Sequence, residues 1–289
     1  MMAFTPDSAF DQYYVNINLS GDFRTLAAQR RDHILGLLAN RFNVIDTFAG
    51  SSIPKYTALR NHADLDVFVV LHYGIHCKGK RPSEVLLEVR QALAAKPRVR
   101  RNGQAVTLTY AGFPDVDVVP VFFASHDGQR YEDALYLSVP DMNTETWIRS
   151  TPKAHSDRID AAAIAYGGMF RRAIKMMKHW NWRHGDILRS FHIEVLALTA
   201  MSAADFSSIS FAMYKFFSVI SEHMLVPLHH EDGRVDEYLS ASDRQTLLTR
   251  LNSVKENASQ AWLDGFLGNH EASITRWRNI FGEEFPAYG

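Results

Sequence analysis

The segment that most restricts the fold is Asp64-Leu65-Asp66 running directly into the apolar stretch Val67-Phe68-Val69-Val70-Leu71. Side chains of a strand alternate between faces, so Asp64 and Asp66 project from one face while Leu65 and Val67 point to the other. Carboxylates held side by side repel each other, and hard oxygen donors in such a pair favour Mg2+ or a similar cation between them. A second strand-like run, Asp115-Val116-Asp117-Val118-Val119-Pro120-Val121, supplies a third acid, and a Gly50-Ser51 turn precedes the acid pair by a short helical-looking spacer. Carboxylates on neighbouring strands beside an anion-accepting turn would form a two-metal site that holds an attacking hydroxyl and a leaving pyrophosphate in line, so the pattern points to nucleotidyl transfer. Each piece alone is bland: Asp-x-Asp at a strand edge can be a solvated pair, Gly-Ser a simple turn, and Asp115 and Asp117 surface residues of an edge strand ending at Pro120. Their order in one chain is what carries specificity.

Around this motif, Phe23, Leu26, Ile34, Leu37 and Leu38 recur at helical spacing, predicting a helix over 22–42 with Asp22 as N-cap. A strand over 43–49 leads into the Gly50-Ser51-Ser52 turn, a helix over 82–95 opens at Pro82, and strands over 104–110 and 115–123 follow. A polar connection over 125–153 precedes long helical periods over 159–182, 191–201, 206–224, 241–266 and 272–281. The expected fold is α+β: a mixed sheet flanked by helices over 1–153, with a helical lobe over 154–289.

Charge is nearly balanced, with 31 Lys and Arg against 32 Asp and Glu, so no global field favours long nucleic acid, whose binding rests on many cationic contacts to phosphate. The single cysteine, Cys77, rules out an internal disulfide and a Cys-rich zinc module and fits a reducing compartment. No leader pattern opens the chain and no segment approaches the roughly 18 apolar residues of a membrane span, so the expected protein is soluble and cytoplasmic.

With Gly50-Ser51, Asp64-Leu65-Asp66, Asp117-Val118-Val119-Pro120, Lys178 and Ser190-Phe191-His192-Ile193-Glu194 in place, the chain resembles the DNA polymerase β-like nucleotidyltransferases, and among them the bacterial cyclic GMP-AMP synthase-like enzymes (CD-NTases). The resemblance implies a Mg2+ (or Mn2+) two-metal site on Asp64, Asp66 and Asp117. It also implies that Gly50, Ser51 and Ser52 contact donor phosphates, that Lys178 and Ser190 contact the triphosphate, and that Phe191 stacks on a base. Backbone N–H groups and hydroxyls of Ser51 and Ser52, at a turn entering a helix, would form an anion-accepting concavity, although either serine could be a plain N-cap. Alternation puts Asp115 and Asp117 on one face; Asp117 is preferred because Val-Val-Pro follows it as in the family. Lys175, one turn before Lys178, could equally belong to a solvated basic face, Phe191 could be a core residue, and His192 and Glu194 read as structural hydrogen-bonding groups.

The chain departs from the family where a basic-Gly-Thr sequence is usual: Lys55-Tyr56-Thr57 has tyrosine in the glycine position. The Cys-rich zinc insertion of the animal DNA sensor is absent, so activation by long double-stranded DNA is not expected. The implied activity is synthesis of a cyclic di- or trinucleotide second messenger from NTPs, ATP among them, in anti-phage (CBASS) signalling. The alternative is a template-independent RNA-tailing or linear oligonucleotide-forming enzyme. The implied regulatory partner is of E1/E2-like or HORMA type, and the final Gly289 suits C-terminal conjugation by the former.

Overall fold

The computed structural model describes residues 4–19, 23–60, 62–63, 65–93, 99–101, 103–112, 114–123, 136–201, 208–230 and 233–289. The expected N-cap Asp22 and the acid Asp64 lie outside these residues. The chain forms two compact units, Leu19–Arg158 and Met1–Asn18 with Ile159–Gly289.

The first unit is built on a mixed sheet. Its strands are β1 (Val44–Ala49), β2 (Leu65–Leu71), β3 (Val99–Arg101), β4 (Val106–Leu108), β5 (Val116–Phe123), β6 (Leu137–Asp141) and β7 (Thr146–Ser150). The order is β1-β2-β5-β4-β3, with β6 pairing the far end of β5 and β7 pairing β6. Only β2 and β5 run parallel; β1–β2, β4–β5, β3–β4, β5–β6 and β6–β7 are antiparallel. Helices α2 (Phe23–Leu38) and α3 (Pro82–Ala92) cover one face, where Ile34, Leu38, Val85, Leu86 and Val89 pack with Leu65, Val67, Val69 and Leu71. The other face buries Val70, Val119, Val121 and Phe123, with Phe48 and Phe68 packed beside them. Alternation along β2 therefore assigns Asp66 to the side away from α2 and α3, as the sequence pattern requires.

Strands β6 and β7 fall in the stretch expected to be a connection. Their sequences, Leu-Ser-Val-Pro-Asp and Thr-Trp-Ile-Arg-Ser, do not alternate cleanly because β7 is largely exposed. A π-helical turn over Tyr73–Cys77 follows β2, and burial raises the Cys77 thiol to about 12, leaving it an inert core group.

Helix α4 (Pro152–Tyr166) carries the chain into the second unit, which contains α1 (Pro6–Ile17), α5 (Gly168–Arg183), α6 (Ser190–Met201), α7 (Ile209–His223), α8 (Ala241–Phe266) and α9 (His270–Phe281). The single helix expected over 159–182 is two: Gly167 at φ 72° adopts a conformation that only glycine takes without strain, and the α-helical path breaks there. Helix α1 starts where Thr5 Oγ1 accepts the Ser8 N–H at 3.3 Å and Pro6 pre-sets the first turn. It buries Phe10 and Tyr13 completely against Trp277, Phe281 and Phe285, each ring contributing roughly 1.5–3 kcal/mol by leaving water. No helix among the described residues is long and apolar enough to cross a membrane.

Candidate active site

The parallel register of β2 and β5 places Asp66 directly opposite Asp117, with Leu65 opposite Val116 and Val67 opposite Val118. In a parallel pair, residues in register share a face, so the two carboxylates stand side by side about one strand spacing apart, ~4.8 Å in backbone terms. Both are half-buried while their neighbours along the strands are buried. Asp117 also faces Thr107 across β4, whose hydroxyl donates to Asp117 Oδ1 at 2.5 Å. Thr107 thus fixes the rotamer of Asp117, a role invisible in the sequence because the β4–β5 register cannot be read from composition. Asp115, the alternative third acid, precedes β5 and accepts the Tyr110 backbone N–H at 3.3 Å, while its charge acts on Arg30. The register pairs Asp117, not Asp115, with Asp66.

Among the described residues no three His, Cys, Asp or Glu side chains cluster as a metal site. The acid pair nevertheless fits a hard divalent cation: two oxygen-donor groups of like charge stand in register on one face of adjacent strands, and one of them is held by a hydroxyl bond to a single carboxylate oxygen.

The Gly-Ser turn is tethered to this pair, since the Gly50 N–H donates to the Asp66 carbonyl at 2.8 Å. A β-carbon at position 50 would sit 2.3 Å from the Phe68 ring, so glycine is required there for packing against β2. The segment after it is not the expected helix. Ser51 at φ 68° and Tyr56 at φ 57° are left-handed, and the turn is closed by Thr57 N–H to Ser52 carbonyl at 2.9 Å and Tyr56 N–H to Ile53 carbonyl at 3.1 Å. The Ser51 and Ser52 amides therefore gain no helix dipole, and any anion site here rests on a backbone nest. Tyr56 occupies the usual glycine position with a glycine-like φ, at a cost of about 1–2 kcal/mol, its ring half in solvent. Lys55 and Thr57 are buried on either side of it.

In the helical unit, Lys178 and Lys175 are both buried, at 6% and 4% exposure, which rules out a solvated basic face. Lys178 Nζ pairs with Glu194 Oε1 at 2.8 Å, and Glu194 is wholly buried. Lys175 donates to Asn18 Oδ1 and lies 5.3 Å from the Tyr14 ring centroid. Burial, with the charges of Lys178 and Arg171, lowers its ammonium pKa to about 8.

Ser190 and Phe191 open α6 and are exposed, Phe191 at 43%, so this ring is not a core residue. His192 points inward and is fully buried, with Nδ1 2.9 Å from the Tyr238 hydroxyl. Burial lowers the His192 pKa to about 4, Arg244 adding to the shift and Asp236 opposing it. Because the folded pKa lies below the unfolded value near 6.5, unfolded chains bind a proton that folded ones refuse between these pH values. Stability from neutral His192 is fully present above pH ~6.5 and lost as pH falls toward ~4, on the order of 3 kcal/mol over the window. Urea unfolding at pH 7.5, 5.5 and 4.5 should show this decline, and His192→Gln should flatten it; an unchanged slope in the variant would assign the decline elsewhere.

The family model for the Second Messenger Oligonucleotide or Dinucleotide Synthetase domain matches residues 4–162. A probable cyclic nucleotide synthase of Bacillus cereus (strain VD146) is 22% identical, covering 99% of this chain and 99% of that protein. A cyclic AMP-AMP-AMP synthase of Acinetobacter sp. is 24% identical over 84% of this chain and 73% of its own length. Among solved structures, E. coli MS115-1 CdnC with ATP shares the fold at TM-score 0.76 and 20% identity, covering 97% of this chain and 99% of that one. The same CdnC in complex with HORMA-deltaN gives 0.74.

Proposed function

Because the chain belongs to the Second Messenger Oligonucleotide or Dinucleotide Synthetase family, we propose that it joins NTPs, ATP among them, into a cyclic di- or trinucleotide with release of pyrophosphate at each bond. The observation that carries this reading is the register of Asp66 with Asp117 beside a turn whose first amide is bonded to Asp66 itself. Asp64, Asp66 and Asp117 are assigned to Mg2+ or Mn2+, which when bound supplies Lewis-acid activation of the attacking ribose hydroxyl and charge stabilisation at the phosphoryl group. Thr107 orients Asp117 for that task. The nest at Gly50, Ser51 and Ser52 receives donor phosphate oxygens. Ser190 and Phe191, exposed at the head of α6, take the triphosphate and a base face, and Lys178, set in place by Glu194, supplies positive charge to the triphosphate.

The biological setting proposed is anti-phage (CBASS) signalling in the cytoplasm. A HORMA-type regulatory partner is supported by the CdnC relative solved with one. Before the final residues, the chain is docked: Phe285 is wholly buried, Asn16 donates to the Glu284 carbonyl at 2.7 Å and Arg183 pairs with the Glu284 carboxylate at 2.7 Å. That packing supports a non-covalent partner over one that must draw out an extended tail.

The test is incubation with all four labelled NTPs and Mg2+ or Mn2+, followed by phosphatase and mass analysis. A phosphatase-resistant product with the mass of a closed ring is expected. A phosphatase-sensitive ladder, or extension of added RNA, would replace this reading by linear oligonucleotide or RNA-tailing activity.

A further inference from the structure

One side chain brackets the exposed Ser190-Phe191 pair. The Tyr238 hydroxyl accepts the Arg189 backbone N–H at 2.8 Å and bonds His192 Nδ1 at 2.9 Å, so it touches the residues immediately before and after the pair. Its oxygen accepts from the Arg189 N–H and still shares a hydrogen bond with His192 Nδ1, because a phenol hydroxyl has one proton and two lone pairs to offer. The Tyr238 ring adds two contacts: the Arg189 guanidinium lies 4.3 Å over its face, and the His192 ring meets it edge-on at 5.8 Å.

Tyr238 is itself anchored. Two residues earlier, Asp236 is 1% exposed and pairs with Arg234 at 2.8 Å and with Arg244 of α8 at 2.5 Å. Burial alone would raise that carboxyl, but the two guanidinium groups outweigh it and hold Asp236 well below the usual carboxylate range. The Arg189 amide belongs to an exposed residue at a helix N-terminus, where water satisfies such groups without cost to the fold. Its bond to a fixed side chain is therefore a matter of orientation.

We propose that Tyr238 is a positioning residue for nucleotide binding: its hydroxyl holds the first turn of α6 so that Ser190 and Phe191 meet an NTP already oriented. The inference rests on the assignment of Ser190 and Phe191 to the nucleotide. A pre-set turn spares the ordering of two side chains on binding, so its loss appears in affinity and not in the chemical step.

The experiment is steady-state synthesis by the full chain carrying Tyr238→Phe, which keeps the ring and removes only the bracketing oxygen. The expected result is an NTP KM raised roughly five- to tenfold with kcat within about twofold of wild type. Phe285→Leu, which loosens the core of the same unit away from α6, is run alongside; it should lower the thermal midpoint and leave KM unchanged. A wild-type KM in Tyr238→Phe overturns the proposal, and so does an equal rise in Phe285→Leu, which would make the effect global loosening. Ser190→Ala and Phe191→Ala separate the two levels of argument. If both lower NTP affinity while Tyr238→Phe does not, the positioning role alone fails; if neither does, the nucleotide assignment fails and takes the positioning role with it.

Discussion

Asp66→Asn and Asp117→Asn should each abolish product formation while leaving the chain folded. Loss of groups that merely orient metal ligands already costs about 10–100-fold, so loss of a ligand charge itself should exceed about 100-fold in turnover. The fold should tolerate the change for reasons visible at each site. Asparagine keeps the Oδ1 that accepts the Thr107 hydroxyl, so the cross-strand bond at position 117 survives. Neutralising one of two like charges in register also relieves their repulsion, so thermal midpoints should equal or slightly exceed that of wild type. Asp115→Asn is the internal control: its Oδ1 accepts the Tyr110 backbone N–H, a bond asparagine also keeps, and it is not in register with Asp66, so activity should stay within about tenfold of wild type. Turnover near wild type in Asp66→Asn, or a larger loss in Asp115→Asn than in Asp117→Asn, would remove the metal assignment. The measurement is initial rate at saturating NTP over a Mg2+ titration, with circular dichroism on the same samples.

What the sequence disclosed followed from patterns that are local in the chain. The acid-headed apolar run gave β2, the Val-Val-Pro run gave β5, and the period of α8 over Ala241–Phe266 was legible to the residue because Ser240 caps its start and no glycine interrupts its first half. Pairings between distant segments were not legible. That Asp66 and Asp117 share a register depends on how two strands 51 residues apart in sequence slide past one another, and alternation narrows this only to Asp115 or Asp117. Helix α1 escaped notice because its capping partner is Ser8, where the usual box has Glu or Gln, and because the Phe10 and Tyr13 face gains meaning only against α9, more than 250 residues on. The break at Gly167 was hidden by apolar periodicity that runs on across it. At the turn after Gly50, helical-looking composition gave way to tertiary packing: Ile53, Lys55 and Thr57 are all drawn into the interior, and the backbone follows them.

The Lys178 site shows the same limit and yields the other large effect. The family resemblance assigns Lys178 to a triphosphate; the structure adds that its partner, Glu194, is wholly buried on the next helix. Lys178→Ala should therefore destabilise the protein by about 3–5 kcal/mol, because it leaves a buried carboxylate without its counter-charge. Lys175→Ala should cost less than half as much: its partner Asn18 is neutral, and its removal relieves repulsion with Lys178. Since Lys178→Ala confuses folding with binding, Lys178→Met/Glu194→Leu separates them. Replacing both members of a buried ion pair by apolar groups of similar size is often neutral or stabilising, so the double variant should regain wild-type stability within about 1 kcal/mol. If Lys178 also serves the triphosphate, that stable protein should still bind NTP roughly 10–100-fold more weakly, the worth of one charge-assisted contact, while binding of the bare nucleoside is little changed. Urea unfolding with and without ligand, and NTP and nucleoside titrations on the same preparations, read both quantities. A double variant that folds and binds NTP as tightly as wild type would make Lys178 a structural ion and remove it from the nucleotide site. A single variant losing less than about 1 kcal/mol would show that Glu194 finds another partner or a proton when the lysine is gone.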